Sequence, residues 1–336
     1  MTTPPTPRAS RLEARLRAAR FRADRFAALR AFFAARNVLE IDVPLLSRGA
    51  SHDAHIGVFG VPDPGGASTE TRYLQTSPEP HLKRLLAQGF PDVYALGKVF
   101  RVEENGSRHN SEFTMIEWYR LGFKLRQMME ETVAVCALVA DVGAGRAPRD
   151  VVYRLYVETF EAVTGLNPLK ATHARLLEHP VFEARGFPAA RRAELFPQKN
   201  DALDFLMSEV VEPTFDPTVF TVVHHFPIGM ALQSEPDQEE PFLAQRFEVY
   251  GGGMELANGY KELIDAREYR VRFEQENRRR AESGKPVIPL HEGFFRDLGA
   301  GLPACAGVAV GFDRLVMLGL GVDDIREVLM FPWDEA

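Results

Sequence analysis

Apolar residues recur at intervals of three and four near the start of the chain: Leu12, Leu16, Ala19, Ala23, Phe26, Leu29 and Phe33. That spacing predicts an amphipathic helix running from Ser10, as N-cap, to about residue 36. Nine arginines lie between Arg8 and Arg36, against only Glu13 and Asp24, which makes the polar face either a solvated surface or a docking surface for an acidic partner. Residues 1–9, rich in Pro and Thr, read as a disordered tail. "VLEIDVP" (38–44) has strand character and stops at Pro44, and "HLKRLLAQG" (81–89) reads as a short helix closed by Gly89. Two strands, "VYALGKVFRVEE" and "SEFTMIEWYR", flank "NGSRHN". Positions 124–215 are helical in pattern. Strand character returns at 218–226 and 246–263, a helix follows over 266–283, and "AGVAV" then "FDRLVMLGLG" give a strand and a helix. Strands at both ends of the chain predict one mixed sheet, an α+β fold.

Alternation sorts the chemistry of "FRVEENGSRHNSEFTMIEWYR" (100–120). Phe100, Val102, Ile116 and Trp118 form an apolar wall, which leaves Arg101, Glu103, Phe113, Glu117 and Tyr119 on the other face. Such a platform suits a polyanion, a cation and a flat base together; it is equally compatible with cross-strand Arg–Glu pairs that need no ligand. "RFEVYGGGMELANGYKELIDA" adds Glu248, Glu255, Asn258 and Glu262. Asn258 and Glu262 share parity while Glu255 does not, so the three reach one cavity only through a bulge between 255 and 258. Glu248 and Glu255, on facing strands, are a reasonable carboxylate pair for Mg²⁺. In "GVAVGFDRLVML" (307–318), Gly311 lets a planar ligand approach the backbone and Arg314 can stack on a purine or pair with phosphate. Neither GxxxxGK[ST] nor a strand followed by GxGxxG occurs, so a nucleotide must bind in another manner.

Composition narrows the field. A net charge of -7 over 336 residues argues against a protein built mainly to grip nucleic-acid backbone. Cys136 and Cys305 lie far apart without metal-ligand spacing, which fits a reducing cytoplasm, and no stretch approaches a membrane span. His52, Asp53 and His55 sit too close together on an irregular stretch to favour metal binding. His224 and His225 should alternate faces, and Met128 and Met129 should pack in a helix core.

Taken together, the 15–332 region resembles the class II aminoacyl-tRNA synthetases. Their first motif corresponds to the N-terminal helix, strand and Pro44, the second to the Arg101 strand–loop–strand, and the third to the element ending at Arg314. "SPEPHLKRLL", "FRVEENGSRHNSEFTMIEWY", "MELANGYKEL" and "GVAVGFDRLVML" resemble the lysine-specific branch. The first-motif helix begins too early to leave room for an anticodon-binding domain, so residues 10–336 are expected to form one catalytic domain. That arrangement is similar to the stand-alone synthetase-like ligases that attach (R)-β-lysine to a lysine of elongation factor P. Ser77 and Ala309 agree, standing where lysyl-tRNA synthetases usually have Ala and Gly.

The resemblance implies a mixed, mainly antiparallel sheet flanked by helices, a cytoplasmic homodimer paired through the first motif, and ATP and Mg²⁺ as substrate and cofactor. It implies an amino-acid pocket of Ser77, Pro78, Glu79, Glu117, Tyr119, Asn258 and Glu262. ATP is expected at Arg101, Val102, Glu103, Asn110, Phe113, Glu255, Leu256, Gly311 and Arg314, with Mg²⁺ on Glu248 and Glu255 and with Arg101 and Arg314 as the catalytic cations. Val102 departs from the family's usual Asn, and Lys261 beside Glu262 should face away by strand parity. Two other functions fit the same motifs: a synthetase acting on tRNA without its anticodon domain, and a non-catalytic paralogue that binds lysine or a nucleotide.

Overall fold

The computed structural model describes residues 7–51, 53, 55–62, 71–102, 106–141, 148 and 150–336, the side chains of 7–10 aside. The N-terminal helix is α1 (Pro7–Ala34). Its start at Pro7, a residue preset for a first helical turn, places Ser10 inside the helix rather than at its cap. Leu29 and Phe33 are buried, whereas Leu12 and Leu16 stay 59% and 46% exposed, so only the C-terminal half of the stripe meets the core. Four of its arginines pair within the chain, Arg15 with Glu335, Arg22 with Asp313, Arg25 with Asp141 and Arg30 with Glu40, and Arg36 just beyond it meets Glu131.

The strand expected over 38–44 shrinks to β1 (Leu39–Glu40). Then come β2 (Leu46–Ser47), β3 (Gly60–Pro62), β4 (Thr71–Leu74), α2 (Glu79–Ala87), β5 (Val93–Phe100), β6 (Glu112–Leu121) and α3 (Leu125–Ala140). The stretch read as wholly helical opens with a strand, β7 (Asp150–Leu155), before α4 (Tyr156–Thr164), α5 (His173–Leu177), α6 (Pro180–Ala184), α7 (Ala189–Leu195) and α8 (Lys199–Leu206). β8 (Val219–Pro227), β9 (Leu243–Gly251), β10 (Met254–Lys261), α9 (Ala266–Glu282), α10 (Glu292–Gly299), β11 (Cys305–Gly311) and α11 (Phe312–Leu320) complete the chain.

Eight strands form one sheet in the order β1-β5-β6-β11-β10-β9-β8-β7. It is antiparallel except at its outer pairs, β1 with β5 and β7 with β8. A second sheet, β2-β4-β3, is too short in each strand to leave a periodic signal. The α+β expectation therefore holds. On one face of the large sheet α1, α3 and α11 close a core around Trp118, Phe33, Met128, Met129 and Val308. Each such side chain contributes about 1.5–3 kcal/mol by leaving water. The other face is covered by α4–α8 around Tyr156 and Phe226, and by α2, α9 and α10 around Tyr269 and Phe294.

Several readings need correction. Phe100 and Val102 are only half-buried and do not join the wall made by Ile116 and Trp118; Val102 instead bridges to Gly57. His224 and His225 do not alternate, because a bulge before Phe226 puts His225 at φ +59° and brings the two Nδ1 atoms to 2.6 Å. His52 lies outside the described residues, while Asp53 accepts from the His55 backbone N–H and His55 faces Asp201. Among the described residues no helix is long and apolar enough to cross a membrane.

Candidate active site

Strand pairing builds the floor of one large cavity, of about 350 Å³. Ala309 on β11 lies directly between Glu117 on β6 and Asn258 on β10, and Glu248 on β9 follows opposite Asn258. Direct cross-strand partners share a face, so these four residues make one row. The next row is Tyr119, Gly307, Tyr260 and Arg246. A Cβ on Gly307 would collide with the Tyr119 ring and the Glu262 carboxylate, so glycine there lets both lie over the strand. The β10–β9 register slips between Glu255 and Ala257, leaving Leu256 as the extra residue. This is the bulge that parity demanded, and Glu255, Asn258 and Glu262 all line the cavity.

The cavity has two lobes of opposite charge. In the first, Glu117 accepts hydrogen bonds from the Ser77 hydroxyl at 2.6 Å and the Tyr119 hydroxyl at 2.7 Å. Burial, then the charge of Glu79, pushes the Glu117 carboxyl up to about 7. Glu262, almost fully buried, is pushed by burial up to about 8 despite the neighbouring Lys83 ammonium. Glu79 forms the third wall, and its backbone N–H donates to Ser77 Oγ at 3.0 Å. Asn258 is oriented by Arg246, whose Nε donates to its Oδ1 at 3.2 Å. Lys261 turns away, its ammonium on the Phe123 carbonyl at 3.3 Å, as parity predicts.

The second lobe is cationic. The Arg101 guanidinium sits 5.2 Å from the Phe113 ring centroid. Arg314 donates to the Glu255 carbonyl at 2.7 Å and meets His109 Nε2 at 2.6 Å, tying α11 to β10 and to the loop before β6. A Cβ on Gly311 would meet only the Arg314 stem, at 3.6 Å. Asn110 is fixed between the Glu112 carbonyl, to which it donates, and the Trp333 N–H, from which it accepts. Arg108 and His109 also line this lobe. Neither was singled out from sequence, although both stand in the "NGSRHN" loop.

Not every expected residue reaches the cavity wall. Pro78 serves as the N-cap of α2, and Val102 spends its N–H on the Gly57 carbonyl at 3.1 Å. Glu103 lies outside the described residues. Glu248 sits behind the wall, bonded to Arg246 at 2.5 Å and to the Tyr250 hydroxyl. Burial and the charge of Glu255 push Glu248 up to about 7 against the pull of Arg246. Burial and these same two carboxylates push Glu212, which sequence reasoning missed, up to about 8. Glu212, Glu248 and Glu255 gather here although Arg246 pairs with Glu248 and Arg314 approaches Glu255 at 3.9 Å, and such a group of carboxylates suits a divalent cation. Among the described residues, however, no three such groups are already disposed around a single metal position.

The sequence profile of the tRNA synthetases class II (D, K and N) matches residues 8–335. The elongation factor P–(R)-β-lysine ligase of Proteus mirabilis (strain HI4320) is 40% identical over 306 residues, covering 90% of this chain and 91% of that protein. The proteins of the same name from Haemophilus influenzae (strain PittGG) and Salmonella schwarzengrund (strain CVM19633) are 38% and 39% identical over 321 and 317 residues, each covering 94% of both chains. With a two-lobed cavity on a mixed antiparallel sheet and these matches along almost its whole length, the chain belongs to the class II tRNA synthetase family of the D, K and N group.

Proposed function

We propose that the protein is an AMP-forming ligase that activates (R)-β-lysine, or lysine, as an acyl-adenylate and transfers it to a lysine side chain of elongation factor P. The observation that carries this reading is the Glu117–Ala309–Asn258 row, beside which an anionic lobe suited to amines meets a cationic lobe suited to phosphates. The names of the relatives supply the acceptor. Ser77, Glu79, Glu117, Tyr119, Asn258 and Glu262 receive the substrate's amines, replacing the water of hydrated ammonium groups. Arg101, Asn110, Phe113, Glu255, Leu256, Gly311 and Arg314 hold ATP, with the Phe113 ring stacked on the base. The substrate carboxylate attacks the α-phosphorus, the bond to pyrophosphate breaks, and Arg101 and Arg314 stabilise the growing negative charge. The acceptor amine, once deprotonated, attacks the acyl carbon; an amide forms and AMP leaves.

ATP use is expected for this ligase family. Glu248 and Glu255, with Glu212 beside them, suit Mg²⁺, which when bound would neutralise phosphate charge. Residues 10–336 act as one catalytic unit in a cytoplasmic protein. Radiolabelled lysine and (R)-β-lysine offered with ATP to elongation factor P and, in parallel, to bulk tRNA test the assignment. Label on elongation factor P is the expected result. Label on tRNA alone would replace the acceptor, and no ATP–pyrophosphate exchange with either amino acid would overturn the activity.

We also propose a homodimer. Leu12 and Leu16 on α1, Leu39 on β1 and Leu45 and Leu46 beside it are 44–59% exposed, an apolar set that a second copy of the first-motif region would cover. Sedimentation at micromolar concentration should give twice 37.7 kDa; a monomer alone would overturn the dimer.

The Ala309 methyl takes space between Glu117 and Asn258, beside the substrate's α and β carbons, and disfavours an amino group on the α carbon. Ala309→Gly should raise kcat/KM for lysine relative to (R)-β-lysine by about tenfold to a hundredfold, the effect of a methyl-sized change in a pocket. ATP affinity should hardly change. An unchanged ratio would place the substrate away from Ala309.

A further inference from the structure

Two of the three carboxylates in the anionic lobe already hold a cation that belongs to the chain. Lys83, one turn after Glu79 on α2, is completely buried. Its ammonium lies 2.5 Å from Glu79 Oε1 and 2.6 Å from Glu262 Oε2, and donates to the Tyr269 hydroxyl at 2.7 Å and Gln233 Oε1 at 3.1 Å. Gln233 in turn donates to the second Glu79 oxygen at 2.9 Å. Burial opposes this charge, but Glu262 and Glu79 outweigh it and hold Lys83 well above the usual lysine range. Glu117 is held by hydroxyls instead.

A buried ammonium is a poor device for stability alone, since an apolar side chain of similar volume often does as well or better. Its effect on the electrostatics of the lobe is definite. Among the other charged neighbours Arg84 pairs with Asp297, Arg246 pairs with Glu248 and lies in the field of Asp204, and Asp53 lies in the field of Arg280. His81 is kept neutral by burial, which pushes it down to about 4. With all three carboxyls ionised, the state a diammonium ligand favours by drawing off the protons that burial holds on Glu117 and Glu262, Glu79, Glu117 and Glu262 with Lys83 present a net charge of minus two. A diamino acid brings two ammonium groups, its carboxylate being directed to the arginine lobe. Without Lys83, which draws both Glu117 and Glu262 down, the three crowded carboxyls would hold their protons more tightly still.

On the functional reading above, we infer that Lys83 is a specificity-determining counter-ion: it matches the charge of the amino-acid lobe to a ligand with two ammonium groups and fixes Glu79 and Glu262 where those groups meet them. The residue acts through its two carboxylates and does not itself touch substrate.

The test is amino-acid-dependent ATP–pyrophosphate exchange by the full chain, with (R)-β-lysine, lysine and the mono-ammonium analogue 6-aminohexanoate. Lys83→Met should raise KM for the diamino acids by about tenfold or more while leaving KM for ATP within about twofold. Glu79→Gln, which reduces the lobe to minus one, should weaken the diamino acids and shift preference toward 6-aminohexanoate by about tenfold. The decisive variant combines Lys83→Met with Glu79→Gln. It restores minus two and should bind the diamino acids more tightly than Glu79→Gln alone, an outcome a packing role for Lys83 does not produce. It removes one carboxylate together with the ammonium, so its formal buried charge equals that of the unaltered protein and it also decides the matter if Lys83→Met fails to fold. A double variant no better than Glu79→Gln, or a folded Lys83→Met with unchanged KM, would overturn the inference. If the unaltered protein activates no diamino acid, the functional reading itself fails, whatever the variants do.

Discussion

Arg314→Ala should lower kcat for ATP–pyrophosphate exchange by about 10²–10³-fold, and Arg101→Ala should do the same. Removing one preorganised donor to developing charge costs about 2.7–4 kcal/mol of transition-state stabilisation. Arg314 is suited to this role because its guanidinium is already fixed by the Glu255 carbonyl and His109, while among the described residues the carboxylate it approaches, that of Glu255, is 3.9 Å away. Its charge is thus only weakly compensated, and its geometry is set before substrate arrives. Arg101 lines the same cavity, against the Phe113 ring that would bear the base. Neither side chain belongs to a hydrophobic cluster, so both variants should unfold within a few degrees of the unaltered protein. Near-normal exchange in either would move the nucleotide site elsewhere.

Glu117→Gln should raise KM for the amino acid by about 30-fold or more, since truncating one partner of a buried charge pair costs about 2–5 kcal/mol. It should also change the response to pH. Glu117 and Glu262 stand at about 7 and about 8, so below neutrality both are largely protonated and present too little charge to a diammonium ligand. Amino-acid affinity should therefore rise from pH 6 to pH 8, with proton release on binding, and the Glu117 share of that slope should vanish in the variant. The sign for stability is opposite. A carboxyl raised in the folded state binds more protons there than in the unfolded chain, so its contribution is full at low pH and is lost as pH rises through 7–8. The gain in Tm on adding lysine should be larger at pH 8 than at pH 6, and less so in Glu117→Gln; equal gains at both would show that these carboxyls do not meet the substrate.

Where side-chain direction follows from strand alternation, the sequence was readable. Glu117 and Tyr119 were placed on the face opposite Ile116 and Trp118, and the misfit in parity between Glu255 and Asn258 located a bulge that the ladder contains at Leu256. Alternation failed at His225 because its own bulge carries no such parity clue. Lys83 was missed for a different reason. In "HLKRLL" a lysine beside Leu82 and Leu86 reads as a solvated position, and only the fold brings Glu262 and Tyr269 onto it. The arginines of α1 likewise read as a solvated or docking face because Asp313, Asp141 and Glu335 are remote in sequence. β7 and the three-stranded sheet are short pieces whose pairing, rather than their pattern, makes them strands.

β11 lies between β6 and β10, although it follows every other described strand in the chain. As the ribosome delivers this sequence, the β1-β5-β6 and β10-β9-β8-β7 halves are complete before the strand that joins them exists. Until it inserts, β6 and β10 present open edges, the form in which strands recruit the wrong neighbour. The same insertion places Ala309 between Glu117 and Asn258, so closure of the sheet and assembly of the pocket are one late event governed by long-range contacts. A chain stalled before Cys305 would carry nearly all the binding residues and have no binding site.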